Sequence, residues 1–211
     1  IRNVNLGLYN RDYDPLVNLA NPERRALVNE VAFRGFCLYM EETKLNVVSS
    51  PLSYLHQALN DLRSGRYLGL GENDFILSNN ESSEAFLIYS RLKDRLVPIS
   101  AWPDAMIQPS FCGCGILDRC SGDFFSNSTL YEIKSGDRGF KSIDFRQIIV
   151  YMALNYASKT CDISRVGLIN PRVGISFLIQ CEDLCYSVSG RAASDLLNEV
   201  MKAISSGDLS R

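Results

Sequence analysis

The segment "GDFFSNSTLYEIKSG", residues 122–136, decides the fold because it has the pattern of two β-strands joined by a tight turn. Both runs are rich in aromatic and β-branched residues, and polar Asn127-Ser128 separates them. A two-residue turn at this point makes Ser126 and Thr129 directly opposed partners. The segment therefore predicts an antiparallel hairpin whose register can be counted from the turn.

That register brings three charged side chains together. Counting back from the turn pairs Asp123 with Glu132, and Lys134 shares the face of Glu132 because strand side chains alternate. Opposed side chains have Cβ atoms roughly 5 Å apart, so two carboxylates there repel unless a cation or a proton lies between them. A Mg²⁺ ion suits the position because it binds one or two carboxylates and keeps its other sites for water and phosphate oxygens. The alternative is a solvated surface ion pair, since Glu-x-Lys is a common tripeptide and such pairs contribute little.

Composition limits the remaining classes of function. The chain has 211 residues, of which 46% are hydrophobic and 22% charged, and this predicts an ordered globular protein. Its 22 Lys and Arg against 24 Asp and Glu give a net charge of −2, so a nucleic-acid partner would need a local basic patch. The sequence contains no apolar run of the roughly 20 residues that span a bilayer and opens without a signal-like stretch, so we expect a cytoplasmic protein with no membrane partner.

Cysteine and histidine usage argues against two further kinds of site. The seven cysteines are odd in number and scattered, which does not favour a disulfide framework. The single histidine, His56, lies in an ordinary amphipathic helical pattern. Catalysis by a histidine dyad, or a histidine-rich zinc site, therefore has little material.

The hydrophobic pattern predicts a mainly helical N-terminal region over residues 1–100, packed on the core. Helices are expected over residues 21–44, from Ser50 or Pro51 to Leu62, and from Asn80 or Ser82 to Val97, with caps or proline at their starts. Residues 66–80 have the composition of a loop.

Residues 101–211 are predicted to form that core. Short strands are followed by a helix over residues 142–159, two strands joined by the turn "PRVG", and a closing helix over residues 190–206. This order predicts an α/β fold in which helices flank a mixed central sheet.

From Pro109 to Gly174 the chain resembles the PD-(D/E)xK nuclease superfamily, in particular its RecB-like branch. The resemblance covers about a third of the chain. It rests on an acidic residue in one strand, a Glu-x-Lys signature in the next and a Gln-x-x-x-Tyr element on the following helix: Asp123, Glu132, Lys134, Gln147 and Tyr151.

The resemblance implies a restriction-endonuclease-like core and a magnesium site. Asp123, Glu132 and the main-chain carbonyl of Ile133 would bind Mg²⁺, for which Mn²⁺ would substitute. Lys134 would be the catalytic lysine, and the Gln-x-x-x-Tyr residues would line the site. The Gln-x-x-x-Tyr residues also have a structural interpretation, because Asp144 and Gln147 fit a capping box and a tyrosine in a helix is as often a core residue.

Two departures from the family pattern concern the acidic residues. Asp123 follows glycine instead of proline, and Asp118, in "GCGILD", resembles the Gly-x-x-Asp spelling of many RecB-like members. A two-residue turn would place Asp118 opposite residue 137, roughly 16 Å along the strand from Glu132, so we prefer Asp123. A longer, bulged loop would favour Asp118.

The family also often has an acidic residue on an early helix. The candidates in this chain are Glu84, Glu81 and Glu30, and the sequence does not choose among them.

Three basic residues near the predicted site could contact DNA phosphates: Arg138, Lys141 and Arg146. The alternative is that each is solvated loop surface. Some RecB-like nucleases also carry an iron–sulfur cluster, but the spacing of Cys37, Cys181 and Cys185 fits one poorly, and buried thiols are favoured instead.

The resemblance therefore implies a Mg²⁺-dependent deoxyribonuclease, such as an endonuclease of restriction or anti-phage defence. Its partners would be DNA and other protein subunits of a defence system, and a dimer is compatible with the sequence. Two alternatives remain open: a nuclease-fold DNA-binding or assembly subunit without activity, and an RNA-cleaving nuclease that uses the same metal chemistry.

Overall fold

The structure is a computed structural model, and it describes residues 9–17, 20–47, 49–65, 75–102 and 104–206. The chain divides into two compact units. One is Pro15–Pro103, and the other combines Ile1–Asp14 with Asp104–Arg211. The sequence predicts one boundary at residues 100–101 and assigns the first residues to the helical part. In the structure the first 14 residues belong to the unit that contains the sheet.

The unit Pro15–Pro103 is helical in its described residues. Its helices are α1 (Arg25–Lys44), α2 (Pro51–Ser64) and α3 (Asn79–Leu96). Short 3-10 turns, Pro22–Arg24 and Val97–Ile99, precede α1 and follow α3. These elements confirm the three predicted helices, whereas residues 66–74 of the predicted loop lie outside the described residues.

Side-chain caps explain where the helices begin. The Ser50 side chain accepts a hydrogen bond from the Ser53 amide at the start of α2. At the start of α3, Ser78 and Glu81 form a reciprocal capping box, earlier than the predicted caps at Asn80 or Ser82. Glu81 is thereby used to hold the helix start.

In its described residues, the second unit contains a mixed sheet and three helices. Its strands are β1 (Asn10–Arg11), β2 (Met106–Ile107), β3 (Ser110–Phe111), β4 (Cys120–Ser121), β5 (Phe124–Ser126), β6 (Thr129–Ile133), β7 (Arg165–Asn170) and β8 (Ile175–Gln180). Its helices are α4 (Ser142–Ser158), α5 (Cys181–Ser189) and α6 (Ala193–Ser206).

Six strands form one sheet in the order β1-β8-β7-β6-β5-β2, while β3 and β4 form a separate ribbon. β6 and β7 are parallel and every other pair in the sheet is antiparallel. Because a parallel pair needs a crossover, α4 connects β6 to β7. The predicted class, an α/β fold with a mixed sheet flanked by helices, is confirmed at this level.

The hairpin register agrees with the count made from the sequence. Ser126 pairs with Thr129 and Phe124 pairs with Tyr131. Asn127 and Ser128 have φ values of 50° and 55°, as a two-residue type I′ turn requires.

Two elements were missed. β1 is only two residues long and exposed, so it carries no hydrophobic period, and it is recognisable only through its pairing with β8. α5 begins directly where β8 ends, so no turn residue in the sequence marks its start. The predicted closing helix is thus preceded by another, with Leu184 and Cys185 on its buried side.

The face of the sheet that carries Leu130 packs against α4. Leu130, Ile148 and Met152 are buried in one hydrophobic cluster. This packing places α4 on the face of β6 that carries Leu130. Glu132 lies two residues further along the strand, so its side chain is on the same face, toward α4.

Candidate active site

Asp123 and Glu132 form the centre of the candidate site. Asp123 directly precedes β5, and the register of the hairpin places it opposite Glu132. Its Oδ2 accepts a 2.6 Å hydrogen bond from the Ile133 amide. The two carboxyl groups lie close enough to interact directly. The predicted convergence of the two carboxylates is therefore present in the structure.

Glu132 is buried, with an exposed fraction of 4%. Its Oε1 accepts a 2.8 Å hydrogen bond from Lys134 Nζ. Its Oε2 is also buried and has no hydrogen-bond partner among the described residues. A buried carboxylate oxygen without a donor is costly, so this atom needs a proton or a cation.

Burial perturbs both acids. It raises the pKa of Asp123 to about 8, and the neighbouring Glu132 carboxylate adds to the rise. Burial also raises the pKa of Glu132, although the hydrogen bond from Lys134 opposes that effect. A cation-free pair therefore retains a proton near neutral pH, and this proton belongs to the pair because the two groups titrate together.

Lys134 connects the carboxylates to α4. Its Nζ donates to Glu132 Oε1 and, at 2.6 Å, to Gln147 Oε1. Its backbone amide donates to the Ile169 carbonyl at 2.8 Å, which extends the parallel pairing of β6 and β7. The surface ion pair considered from the sequence does not describe this lysine, whose carboxylate partner is buried.

Gln147 and Tyr151 meet one turn apart on α4, where the Gln147 amide donates to the Tyr151 hydroxyl at 2.6 Å. Burial raises the pKa of Tyr151 to about 12, and the negative charge of Glu132 contributes. Tyr151 is also a core residue, since its ring packs against Phe111 with 5.6 Å between centroids. Tyr151 is therefore both a partner of Gln147 and a residue of the core.

The capping-box interpretation of Gln147 is wrong. α4 begins at Ser142, so Lys141 is the N-cap and Asp144 is the third helical residue. The Asp144 side chain accepts from the Lys141 amide at 2.7 Å, as the third residue of a helix often does. Gln147 is one turn further along and is free to bind Lys134.

The rival acidic residues lie elsewhere. Asp118 is exposed in the loop between β3 and β4 and lines a cavity together with Gln147 and Tyr151. Glu84 is buried in the helical unit, where its Oε2 accepts a 2.9 Å hydrogen bond from the Ala20 amide. This hydrogen bond gives Glu84 a structural role within the helical unit.

The three basic candidates differ in their surroundings. Arg138 makes a bidentate ion pair with the buried Asp144, at 2.7 and 2.9 Å, and so holds the start of α4. Burial raises the pKa of Asp144, but the hydrogen bonds from Arg138 and the Lys141 amide outweigh it and lower the pKa overall. Lys141 and Arg146 are exposed.

Two buried polar residues support the site through contacts that the sequence pattern does not indicate. Asn170 donates from its side chain to the carbonyls of Gly136 and Arg138 at 2.8 and 3.0 Å. The Arg172 side chain, 2% exposed, donates to the Ser135 carbonyl at 2.9 Å. Together they hold the loop that directly follows Lys134. The available signal was the polar "NPR" motif at the end of a buried strand.

The cysteines have surroundings typical of packed thiols. Burial raises the pKa of Cys181 to about 12 and that of Cys185 to about 11. Both lie on α5, whereas Cys37 is buried in α1 of the helical unit. The thiols of Cys181 and Cys185 therefore stay protonated at neutral pH.

Within the part of the chain that the structure describes, no group of three or more His, Cys, Asp or Glu side chains is arranged to hold a metal. A metal at Asp123 and Glu132 would therefore rest on two carboxylates, with main-chain, water or substrate oxygens completing its coordination. Mg²⁺ accepts such a donor set.

Comparisons with protein-family models, with curated proteins and with solved structures each gave no match. Among the described helices, none has the length and apolar character that a membrane span requires.

Proposed function

We propose that this chain is a Mg²⁺-dependent deoxyribonuclease with a restriction-endonuclease-like core, related to the RecB-like branch of the PD-(D/E)xK nucleases. One observation carries the proposal. Asp123 and Glu132 oppose each other across a hairpin, and Lys134 is held beside them by Gln147. Three mutually dependent charges at this depth are costly to keep without a function.

The residues present fit a divalent cation. Among the residues that the structure describes, Glu132 Oε2 is buried without a donor, and burial raises the pKa of both acids, an effect that a bound cation would oppose. Asp123 and Glu132 would hold the ion, with the Ile133 carbonyl as an expected further ligand. When bound, Mg²⁺ would supply Lewis-acid stabilisation of a phosphodiester and a lowered pKa for water.

The side chains around the carboxylates have separate roles. Lys134 offers an ammonium group to the charge that develops on the phosphate during hydrolysis. Gln147 accepts from Lys134 and donates to Tyr151, so both ends of its amide are fixed and the lysine is positioned. Preorganised charge of this kind is usually the largest contribution to catalysis.

The proposed reaction is hydrolysis of a phosphodiester bond by water. Water adds to phosphorus, the bond from phosphorus to the leaving oxygen breaks, and the leaving oxygen takes a proton, so the products are one phosphomonoester end and one hydroxyl end. No oxidant, reductant or other co-reactant is needed.

Incubation with supercoiled plasmid, linear duplex, single-stranded DNA and RNA, each with Mg²⁺ or EDTA, tests the proposal. We expect Mg²⁺-dependent cleavage of DNA that falls about 100-fold or more in Lys134→Ala, because a charge aimed at the transition state is lost. Lys202→Ala, which removes an exposed lysine of α6, is the matched control.

Equal behaviour of wild type and Lys134→Ala on every substrate would contradict the proposal. Binding of DNA without cleavage would favour the assembly-subunit alternative, and cleavage confined to RNA would favour the ribonuclease. Conversion of closed plasmid to linear product would identify an endonuclease.

A further inference from the structure

A cavity of about 440 Å³ adjoins the candidate site. Gln147 and Tyr151 form part of its wall. Because Gln147 accepts a hydrogen bond from Lys134, the cavity is next to the candidate site. Most of the remaining wall is aliphatic and comes from α4, α6 and the loop before β4. The aliphatic residues of the wall include Ile143, Val150, Val200 and Ile204, and its charged residues are Arg146 and Asp118.

The loop that forms one wall is packed tightly onto the end of α6. The Ile116 amide donates to the Ile204 carbonyl. Gly115 has a φ of 56°, and a Cβ there would lie 2.4 Å from the same carbonyl oxygen, so only glycine allows this approach. Cys114 Sγ lies 3.2 Å from Ser205 Oγ. The cavity is therefore built into the unit and does not depend on a loosely placed loop.

The chemistry around the cavity specifies a ligand with two different parts. Apolar walls favour a flat or aliphatic body, and the volume is within the roughly 300–1,000 Å³ of small-molecule sites. At the Gln147 end, the Lys134 ammonium favours an anionic group, while Asp118 in the lining opposes one. Arg146, exposed and part of the lining, adds a second positive charge. A nucleotide has both parts, a nucleobase joined to a phosphate.

We propose that the cavity binds one nucleobase of the strand that is cleaved, next to the phosphate at Asp123 and Glu132. This inference rests on the proposed function and names its substrate class. A base in a duplex is paired and stacked, and entering a side cavity would require breaking its pair and its stacking. The preferred substrate is therefore DNA that is single-stranded or unpaired at the cleaved position.

Binding to Glu132→Gln, which keeps the fold's shape while removing one carboxylate, tests the inference without relying on hydrolysis. The probes are a fluorescent 12-nucleotide oligothymidine, the same strand with each position in turn made abasic, and its duplex with oligoadenosine. Fluorescence anisotropy should show that the single strand binds at least tenfold more tightly than the duplex. One abasic position should weaken binding about tenfold, as loss of one stacked base does.

Filling the cavity should have the same effect. In the Glu132→Gln background, Val150→Trp should weaken single-strand binding about tenfold. Ile143→Trp should do the same, and because it changes a side chain already 58% exposed, it leaves the packed core in place. Val188→Trp, at an exposed position of α5, is the matched control and should bind like its parent. Thermal unfolding checks that each variant is folded.

The outcomes separate this inference from the proposed function. Lys134-dependent cleavage with unchanged binding by both tryptophan variants would overturn the base site alone. Cavity-dependent binding without any cleavage would keep the base site and reject the nuclease. Equal affinity for duplex and single strand, or no binding of either, would overturn the base site as well.

Discussion

The unusual residues of this protein are two neighbouring buried acids, Asp123 and Glu132. Their two negative charges, when both are ionised, exceed the one positive charge of Lys134. An acid whose pKa is raised on folding binds a proton more tightly in the folded than in the unfolded state. Asp123 has a pKa of about 8 when folded, against about 4 for an ordinary aspartate. Between these values the unfolded chain has released a proton that the folded chain still holds, so stability falls as pH rises.

We therefore expect the metal-free protein in EDTA to lose stability from about pH 4 to about pH 8, by up to roughly 1 kcal/mol per pH unit. Asp123→Asn should remove most of this slope, because it removes the carboxyl group whose pKa burial raises to about 8. Urea unfolding at several pH values measures the effect. Asp118→Asn, which changes an exposed acid, should keep the wild-type slope, and an equal slope in all three proteins would refute the assignment.

At the scale of elements, the hairpin shows how much a short segment can specify. A two-residue turn leaves one possible register, and alternation along the strands then fixes which side chains share a face. Asp123, Glu132 and Lys134 could therefore be brought together from sequence. The helix residues Gln147 and Tyr151 were identified from the family resemblance, and the i, i+4 spacing explains why they meet.

The supporting contacts could not be derived in the same way. Arg172 and Asn170 bind carbonyls of residues 135, 136 and 138, more than 30 positions earlier in the chain. No local period encodes such a contact, which exists only after β6 and β7 have paired. For the same reason the pairing of β1 with β8 was missed, and so was the cavity formed by α4, α6 and the loop before β4.

The turn itself gives a prediction about stability. Asn tolerates a positive φ better than other non-glycine residues, but Ser128, at 55°, bears a steric cost in that conformation. Ser128→Gly should therefore stabilise the protein by about 0.5–1 kcal/mol, since the strain exceeds the entropy that glycine adds to the unfolded chain. Urea unfolding measures the change.

Ser126 supplies the matched control for the turn. It is buried within β5, and Ser126→Gly should destabilise the protein because glycine weakens a strand interior. Destabilisation by Ser128→Gly to a similar extent would mean that the turn does not have the conformation described.

At the scale of the whole molecule, fold and site depend on each other through one sheet. The parallel pair β6–β7 requires the crossover helix α4, and the same helix carries Gln147 to Lys134. A cation at the end of β6 would relieve the charge deficit of the acids, while the unfolded chain has no such site. Its binding free energy would therefore add to the stability of the folded state.

We expect Mn²⁺ or Mg²⁺ to raise the melting temperature of the wild-type protein at pH 7.5. At a concentration 100 times Kd the gain is about 2.7 kcal/mol, and differential scanning calorimetry against an EDTA reference measures it. Glu132→Gln should lose the gain, because it replaces the buried carboxylate whose Oε2 lacks a donor with a neutral amide. Asp118→Asn should retain it. If the increase in stability is lost in Asp118→Asn and kept in Glu132→Gln, the metal binds at the exposed loop and not at the buried acids. If the wild type shows no increase, the two acids share a proton instead of binding a metal.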